Sequence, residues 1–330
     1  MEMINALDES AFKNDFVLTT QQDKRRGNYV QMKQKQQALL RSLRNSSSGW
    51  MLMSPAMIFL FIFVFIPAVY VFYLSFVRWN MLDSTPRFVG FSNYSLMFQD
   101  PTFIQSFLNT VLFSLGMIVI SLPIALLLAM LVDMGLKGTK IYRTVIFGPY
   151  VIPLVGSGLV WALMYNPNYG FINQLLSKFH MYTPNWLGSQ GYALLAVLIM
   201  SVWQSLGYYM IIFLGGLQTV SESLKEAAAI DGAKGWQTFR SVIIPSLSPS
   251  ILFALVVCTI QSFQTFDQVY VMTEGGPDGA SSTLVYYIFS QGFQMYNIGI
   301  ATAASVILLL FLAILTWVQI HLSNRWVVEE

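Results

Sequence analysis

Met57-Ile-Phe-Leu-Phe-Ile-Phe-Val-Phe-Ile66 is ten apolar residues without interruption, and the surroundings that such a run requires decide the fold. A strand of a membrane barrel alternates apolar and polar residues over about ten positions; this run does not alternate. The apolar sequence extends outward over residues 50–77, beyond the roughly 20 residues with which an α-helix crosses a bilayer. In hydrocarbon every backbone N–H and C=O must be paired internally, which leaves helices and closed barrels. The run is therefore a transmembrane helix. Five further runs read the same way by hydropathy, at 103–132, 141–165, 191–217, 243–272 and 298–321. Composition agrees: 55% of the 330 residues are hydrophobic and only 10% charged, where a soluble domain carries about a quarter charged. The fold class is an all-α membrane protein of six transmembrane helices.

Orientation follows from the cations. The N-terminal stretch carries Lys13, Lys24, Arg25, Arg26, Lys33, Lys35, Arg41 and Arg44. The second connection carries Lys137, Lys140 and Arg143, the fourth Lys225, Lys234 and Arg240, and the C-terminus Arg325. The opposite side has only Arg78, Arg87 and Lys178. The positive-inside rule then places both termini in the cytoplasm. The expected organisation is a polar cytoplasmic tail at 1–49, a six-helix domain at 50–322 and a short cytoplasmic tail at 323–330. The first tail is too long and its apolar neighbour too extended for a signal peptide. It is either a topogenic segment or a regulatory arm.

Several function classes are excluded. A net charge of +2 gives no basic face for nucleic acid. One cysteine, Cys258, and two distant histidines, His180 and His321, form no metal-ligand spacing. No G-x-x-x-x-G-K-[ST] phosphate loop occurs, so the chain is not expected to hydrolyse ATP. Clustered catalytic side chains are likewise missing from the pattern, and no enzyme activity is expected. Pro55, Pro67, Pro123, Pro149, Pro153, Pro245 and Pro249 lie in or beside the spans and predict kinks.

The stretch before the fifth span, residues 221–245, reads SESLKEAAAIDGAKGWQTFRSVIIP. Ser223 with Glu226 three positions on is a capping box that starts a helix, and Ala227, Ala228 and Ala229 continue it. Gly232 and Gly235 permit a sharp turn, and a second helix is predicted over 236–242. A small-surfaced helical hairpin thus projects from the cytoplasmic face, with Glu226 and Asp231 at its edge.

Glu226-Ala227-Ala228, three residues, Gly232, nine residues and Val242-x-Ile244-Pro245 resemble the EAA loop of permease subunits of bacterial ATP-binding-cassette (ABC) importers. Further pieces are similar to the maltose-type and glycerol-3-phosphate-type sugar importers: Trp79 with Pro86-Arg-Phe-Val-Gly-Phe-Ser-Asn-Tyr94, Pro149-Tyr150-x-x-Pro153, and Phe266-Asp267-x-x-Tyr270-x-x-Thr273-x-Gly275-Gly276-Pro277. The resemblance covers the chain from Trp50 onward. It implies a MetI-like permease core in the bacterial cytoplasmic (inner) membrane. The implied function is import of a sugar or sugar-like solute (oligosaccharide, monosaccharide or glycerol 3-phosphate) by alternating access. The implied partners are a second homologous permease, two cytoplasmic ATPase subunits and an external solute-binding protein, besides the lipid bilayer. Glu226, Ala227, Ala228, Asp231 and Gly232 would contact the ATPase, and ATP with its Mg would be used there; no cofactor is expected on this chain. The rival class is an ion-coupled secondary transporter, which would favour ionisable groups at mid-membrane; these spans offer almost none.

A sugar path needs hydroxyl and amide groups on faces turned from lipid. Ser201, Gln204, Ser205 and Tyr208 recur at helical spacing in the fourth span, and Gln261, Gln264, Thr265 and Gln268 in the fifth, with Ser262 beside them. Such groups either meet solute or join helices, at about 0.6 kcal/mol per hydrogen bond. The resemblance carries sugar contacts onto Tyr150, Leu154, Ser201, Ser205, Tyr208, Cys258, Ser262 and Thr265, of which Leu154 and Cys258 suit hydroxyls poorly. Asp267 is the one acidic residue well inside a predicted span. On a continuous helix from Ile243 it would lie about 36 Å along, near the outer mouth, either paired to a neighbour or facing solute.

Overall fold

The computed structural model describes residues 50–80, 85–135, 138–324 and 327. The N-terminal cations, Lys137 and Arg325, on which the orientation partly rests, lie outside the described residues, as does the polar tail. The chain divides into two compact units, Met1–Val69 and Tyr70–Glu330.

In the first unit, everything described is the leading part of helix α1, Trp50–Leu74, whose last residues belong to the second. Phe61–Phe65 forms one wide π turn, closed by the Ile66 N–H on the Phe61 carbonyl. The physical reason stands two residues further on. Pro67 has no N–H and its ring presses on the carbonyl four residues back, and widening the turn relieves both. The same device recurs in the second unit, where the π turn Phe239–Ile243 precedes Pro245.

The second unit is built on α3 (Pro101–Asp133) and α7 (Gln190–Thr219), which pack along much of their length. α3 is long and apolar, yet its buried face carries Ser106, Thr110, Ser114, Ser121, Ala125 and Ala129, four or seven residues apart. Small side chains let helix backbones approach, and two of these hydroxyls bond to other elements, Ser106 with Ser282 at 2.8 Å and Ser114 with Ser262 at 2.7 Å. Phe113, Met117 and Phe213 fill the space between, with Met200, Leu247 and Cys258. Between α1 and α3 lie a two-residue antiparallel ladder, β1 (Val77–Arg78) and β2 (Arg87–Phe88), and helix α2 (Ser92–Gln99).

The third expected span is two helices, α4 (Thr139–Val151) and α5 (Leu154–Met164), bent by 96°. Pro153 explains the break: it cannot donate, and it pushes Ile152 into extended backbone. After α6 (Phe171–Lys178) and α7 comes the hairpin of α8 (Glu222–Ile230) and α9 (Gly235–Ser246), and a 66° bend leads into α10 (Ser248–Phe263). Pro245 and Pro249 flank that bend. The predicted fifth span is broken again at Gln264–Phe266, and α11 (Asp267–Met272) starts anew. No proline stands there; the expectation of one helix over 243–272 fails for want of any local signal. α12 (Leu284–Phe289) and α13 (Ile298–Ser323) complete the chain. With each bent pair counted as one crossing, the described residues provide six spans by length and composition.

Hydrogen bonds gather the leading ends of α3, α7 and α13 at one end of the second unit. The Gln190 amide donates to Asp278 at 2.9 Å, the Asn109 amide to the Gly279 carbonyl at 2.9 Å, and the Ile298 N–H to the Trp79 carbonyl at 3.1 Å. The 30-residue α7 then carries the chain to the α8–α9 hairpin at the far end.

Asp100 anchors the first of these ends. Its carboxylate caps α3 through the Thr102 N–H at 2.9 Å, accepts from the Thr102 hydroxyl, and accepts from the Tyr287 hydroxyl at 2.8 Å. Burial raises its pKa, and these hydrogen bonds outweigh burial, leaving it below the ordinary 3.8. A depressed native pKa contributes stability that is complete above the unfolded value and is lost as pH falls through the native one. Asp100→Ala is expected to cost about 1–3 kcal/mol from the lost cap and the stranded Tyr287 hydroxyl. Thermal unfolding between pH 3 and 6 checks it: the gap between variant and parent should shrink toward the acid end.

Candidate functional site

A cavity of about 550 Å³ opens where the two breaks face each other. One wall is the α4–α5 break, Tyr150 to Leu154; the opposite wall is the end of α10 with the Gln264–Phe266 break and the start of α11. α7 forms the floor with Ser201, Gln204, Ser205 and Tyr209, and α3 closes the back with Phe113 and Met117. A helix break leaves carbonyls without intrahelical partners, and inside a membrane such backbone is tolerated where protein or water satisfies it. Gln204 does so here: its amide donates to the Ile152 carbonyl at 3.2 Å.

The α7 hydroxyls are partly committed. Ser201 donates to the Val197 carbonyl and Ser205 to the Ser201 carbonyl, both at 2.8 Å. A serine whose proton is so placed turns its lone pairs outward as an acceptor. Ser201 also accepts from the Gln268 amide at 3.3 Å, which ties α11 to α7. Across the cavity the Tyr209 hydroxyl donates to the Gln261 carbonyl oxygen at 3.0 Å, leaving the Gln261 amide nitrogen its two donors. Ser262 donates to Ser114 of α3 at 2.7 Å, so this lining residue also joins helices. Thr265 is buried, and its carbonyl, orphaned by the break, accepts from the Thr283 hydroxyl at 2.8 Å.

Of the expected path residues, Tyr150, Ser201, Gln204, Ser205, Gln261, Ser262, Gln264, Thr265 and Asp267 all line this one cavity. They do so differently from expectation. Gln264, Thr265 and Asp267 do not continue the helical face of Gln261; the break turns them into the cavity from a second direction. Asp267 does not lie on one continuous helix from Ile243, as a single fifth span would have it. It is the first residue of α11 and half-buried, with no side-chain hydrogen bond among the described residues. Tyr208 does not line the cavity; its ring stacks behind Tyr150, centroids 4.7 Å apart and 17° from parallel. Its neighbour Tyr209, almost wholly buried, lines the cavity in its place. Phe113 and Met117 carried no signal, being apolar residues of an apolar helix. Among the described lining residues there is one carboxylate and no Lys, Arg or His. The cavity can present amide donors, hydroxyl and carbonyl acceptors and aromatic faces, with no cation among the described lining residues to hold an anion.

The α8–α9 hairpin also departs in detail. Ser221, not Ser223, precedes the helix, and the two hydroxyls bond each other at 2.7 Å, so the expected capping box does not form. Gly232 makes the turn with φ +75°, whereas Gly235 already begins α9. There the Gln237 carbonyl oxygen accepts from the Lys234 N–H at 2.7 Å, and the helix runs on to Ser246. Glu226, Ala227, Asp231 and Gly232 are exposed and Ala228 half-buried. Ile230 and Trp236, beside the turn, are 86% and 69% exposed.

Residues 95–328 match the family described as binding-protein-dependent transport system inner membrane component. The chain is 35% identical over 283 residues to the sn-glycerol-3-phosphate transport system permease protein UgpA of Agrobacterium fabrum, covering 85% of this chain and 96% of that one. It is 31% identical over 280 residues to the trehalose/maltose transport system permease protein MalF of Thermococcus litoralis, covering 85% and 94%. Among solved structures, a chain of a bacterial alginate ABC transporter, crystallised with alginate pentasaccharide-bound periplasmic protein, superposes with a TM-score of 0.75. At 21% identity, over 86% of this chain and 96% of that one, it shows the shared fold.

Proposed function

From the chain's membership of the binding-protein-dependent inner membrane transport components, a multi-pass permease family, we propose that it imports a neutral, hydroxyl-rich solute through the cavity between its two helix breaks. The observation that carries this reading is the lining itself: amides, hydroxyls and aromatic rings with one carboxylate and no cation among the described residues. Glutamine amides and serine lone pairs match sugar hydroxyls, and Tyr150 and Phe266 offer faces to the apolar side of a ring. A phosphate dianion in the same place would meet Asp267 and no counter-charge, at a desolvation cost that only a paired charge offsets. Of the solutes in the relatives' names, the cavity therefore suits trehalose or maltose better than glycerol 3-phosphate.

Energy comes from a separate ATPase. The hairpin around Gly232 supplies the docking surface: large apolar side chains exposed beside a tight turn mark a protein contact. Glu226, Ala227, Ala228, Asp231 and Gly232 lie on that surface, on the cytoplasmic side. A second permease and an external binding protein complete the machine. An ion-coupled carrier finds no support in the cavity, where Asp267 is the one carboxylate and no Lys, Arg or His stands among the described lining residues.

Ser205→Leu should narrow the cavity from the rigid α7 side and lower sugar uptake about tenfold, the effect of some 1.4 kcal/mol on the barrier, with partner subunits still co-purifying. Full uptake by the variant removes the cavity from the path. In the parent assembly, glycerol 3-phosphate carried faster than a neutral disaccharide contradicts the solute class.

A further inference from the structure

We propose that the pocket against the β1–β2 ladder binds the phosphate group of an anionic phospholipid. It does not depend on the transport reading, only on the presence of membrane spans. Arg78 and Arg87 face each other directly across the two-residue ladder, where Cβ atoms are about 4.5–5.5 Å apart and like charges are destabilising. Among the described residues neither guanidinium makes an ion pair. Both line a pocket of about 380 Å³ with Trp79, Asn80, Asn93 and Asn297, and among the described residues no Asp or Glu lines it.

The frame of this pocket is fixed. Asn93 is 2% exposed, and its amide donates to the Ser75 and Val77 carbonyls at 2.8 and 3.0 Å. Gly299 lets α13 pass against β1, since a Cβ there would collide with the Val77 carbonyl and the Asn93 amide. Two arginines are thereby held in repulsion on a rigid mount. An anion between them turns that repulsion into two ion pairs, and a guanidinium fork fits phosphate oxygens in bidentate fashion.

Depth selects the source of the phosphate. α1 ends at Leu74, three residues before β1, and α13 begins at Ile298 beside the pocket. Two spans thus meet the membrane surface at the height of the arginines, where headgroups lie. Trp79, which lines the pocket, is of the aromatic type enriched at that interface, and Phe88 in β2 and Phe91 just after it, each 74% exposed, add apolar surface there.

The test is native mass spectrometry of the delipidated full assembly, titrated with phosphatidylglycerol, phosphatidylcholine or glycerol 3-phosphate. Phosphatidylglycerol should bind in preference to the other two. In the exposed pair Arg78→Gln/Arg87→Gln its affinity should fall roughly ten- to a hundredfold, the loss of a charged hydrogen bond or two, while Lys178→Gln leaves it unchanged. Equal binding of the two lipids overturns the proposal. So does arginine-dependent binding of the soluble phosphate alone. Unchanged affinity in the double variant, expected if Asp83 between the strands is the true counterion, overturns it too; Asp83 lies outside the described residues. Loss of binding-protein docking with lipid affinity intact would assign the arginines to a protein partner instead.

Discussion

Glu226→Lys is expected to insert, fold and pair with its partner permease as the parent does, and to lose ATP-driven uptake about thirtyfold or more, the effect of ~2 kcal/mol at a charged contact. The reasons lie on α8. Glu226 is exposed and takes no part in the ion pair that Lys225 makes with Glu222 at 3.2 Å. Its replacement therefore breaks no contact within the described residues. A lysine at 226 would also stand four positions after Glu222, an arrangement that supports a helix by about 0.2–0.5 kcal/mol. Unfolding of the hairpin is thus not an explanation for failure. What changes is the charge offered beside Ile230 and the Gly232 turn. Co-purification with the ATPase measures it directly: the variant should come away without the motor, and parent-like retention would remove Glu226 from the coupling surface.

Gly207→Val should have the larger effect on the protein itself. α7 and α4 cross at this residue, and a Cβ at 207 would run into the Ile146 carbonyl and the Phe147 backbone. Backbone cannot swing aside as a side-chain end can, so α4 must shift as a body. Overpacking of this kind costs about 1–3 kcal/mol. The shift would carry Tyr150 and the Ile152 carbonyl away from Gln204, opening one wall of the cavity. Gly215, eight residues along the same helix, has nothing within 4 Å of its would-be Cβ. Gly215→Ala should therefore be neutral or stabilise by up to about 1 kcal/mol. Melting temperatures in detergent separate the two: a fall for position 207 with none for 215 is expected, and equal behaviour contradicts the close crossing.

Much of this architecture is legible in the sequence where the local signal and the tertiary outcome coincide. Ser201, Gln204 and Ser205 sit on an unbroken helix, so their spacing translates directly into a shared face. Pro153 announces the first break, and Pro245 the bend below α10. The Gln264–Phe266 break has no proline or glycine to announce it. There the Thr283 hydroxyl satisfies the freed Thr265 carbonyl from 18 residues away, a compensation no local window contains. Tyr208 and Tyr209 show a second limit. Adjacent helical residues point about 100° apart, and composition does not say which of two tyrosines faces inward. The stripe of Ser106, Thr110, Ser114, Ser121, Ala125 and Ala129 was readable as a close-packing face, although α3's high apolar content draws the eye to its bulk. The β1–β2 ladder, two residues on each side, is too short to carry an alternation.

The most direct test of the account is uptake into proteoliposomes holding this chain, its partner permease and the ATPase, with the binding protein and a labelled neutral sugar outside. Sugar should accumulate when ATP is supplied to the ATPase, with no ion gradient imposed, and should stop when ATP is withheld. Accumulation driven by an ion gradient through this chain alone, with no ATPase present, would contradict it.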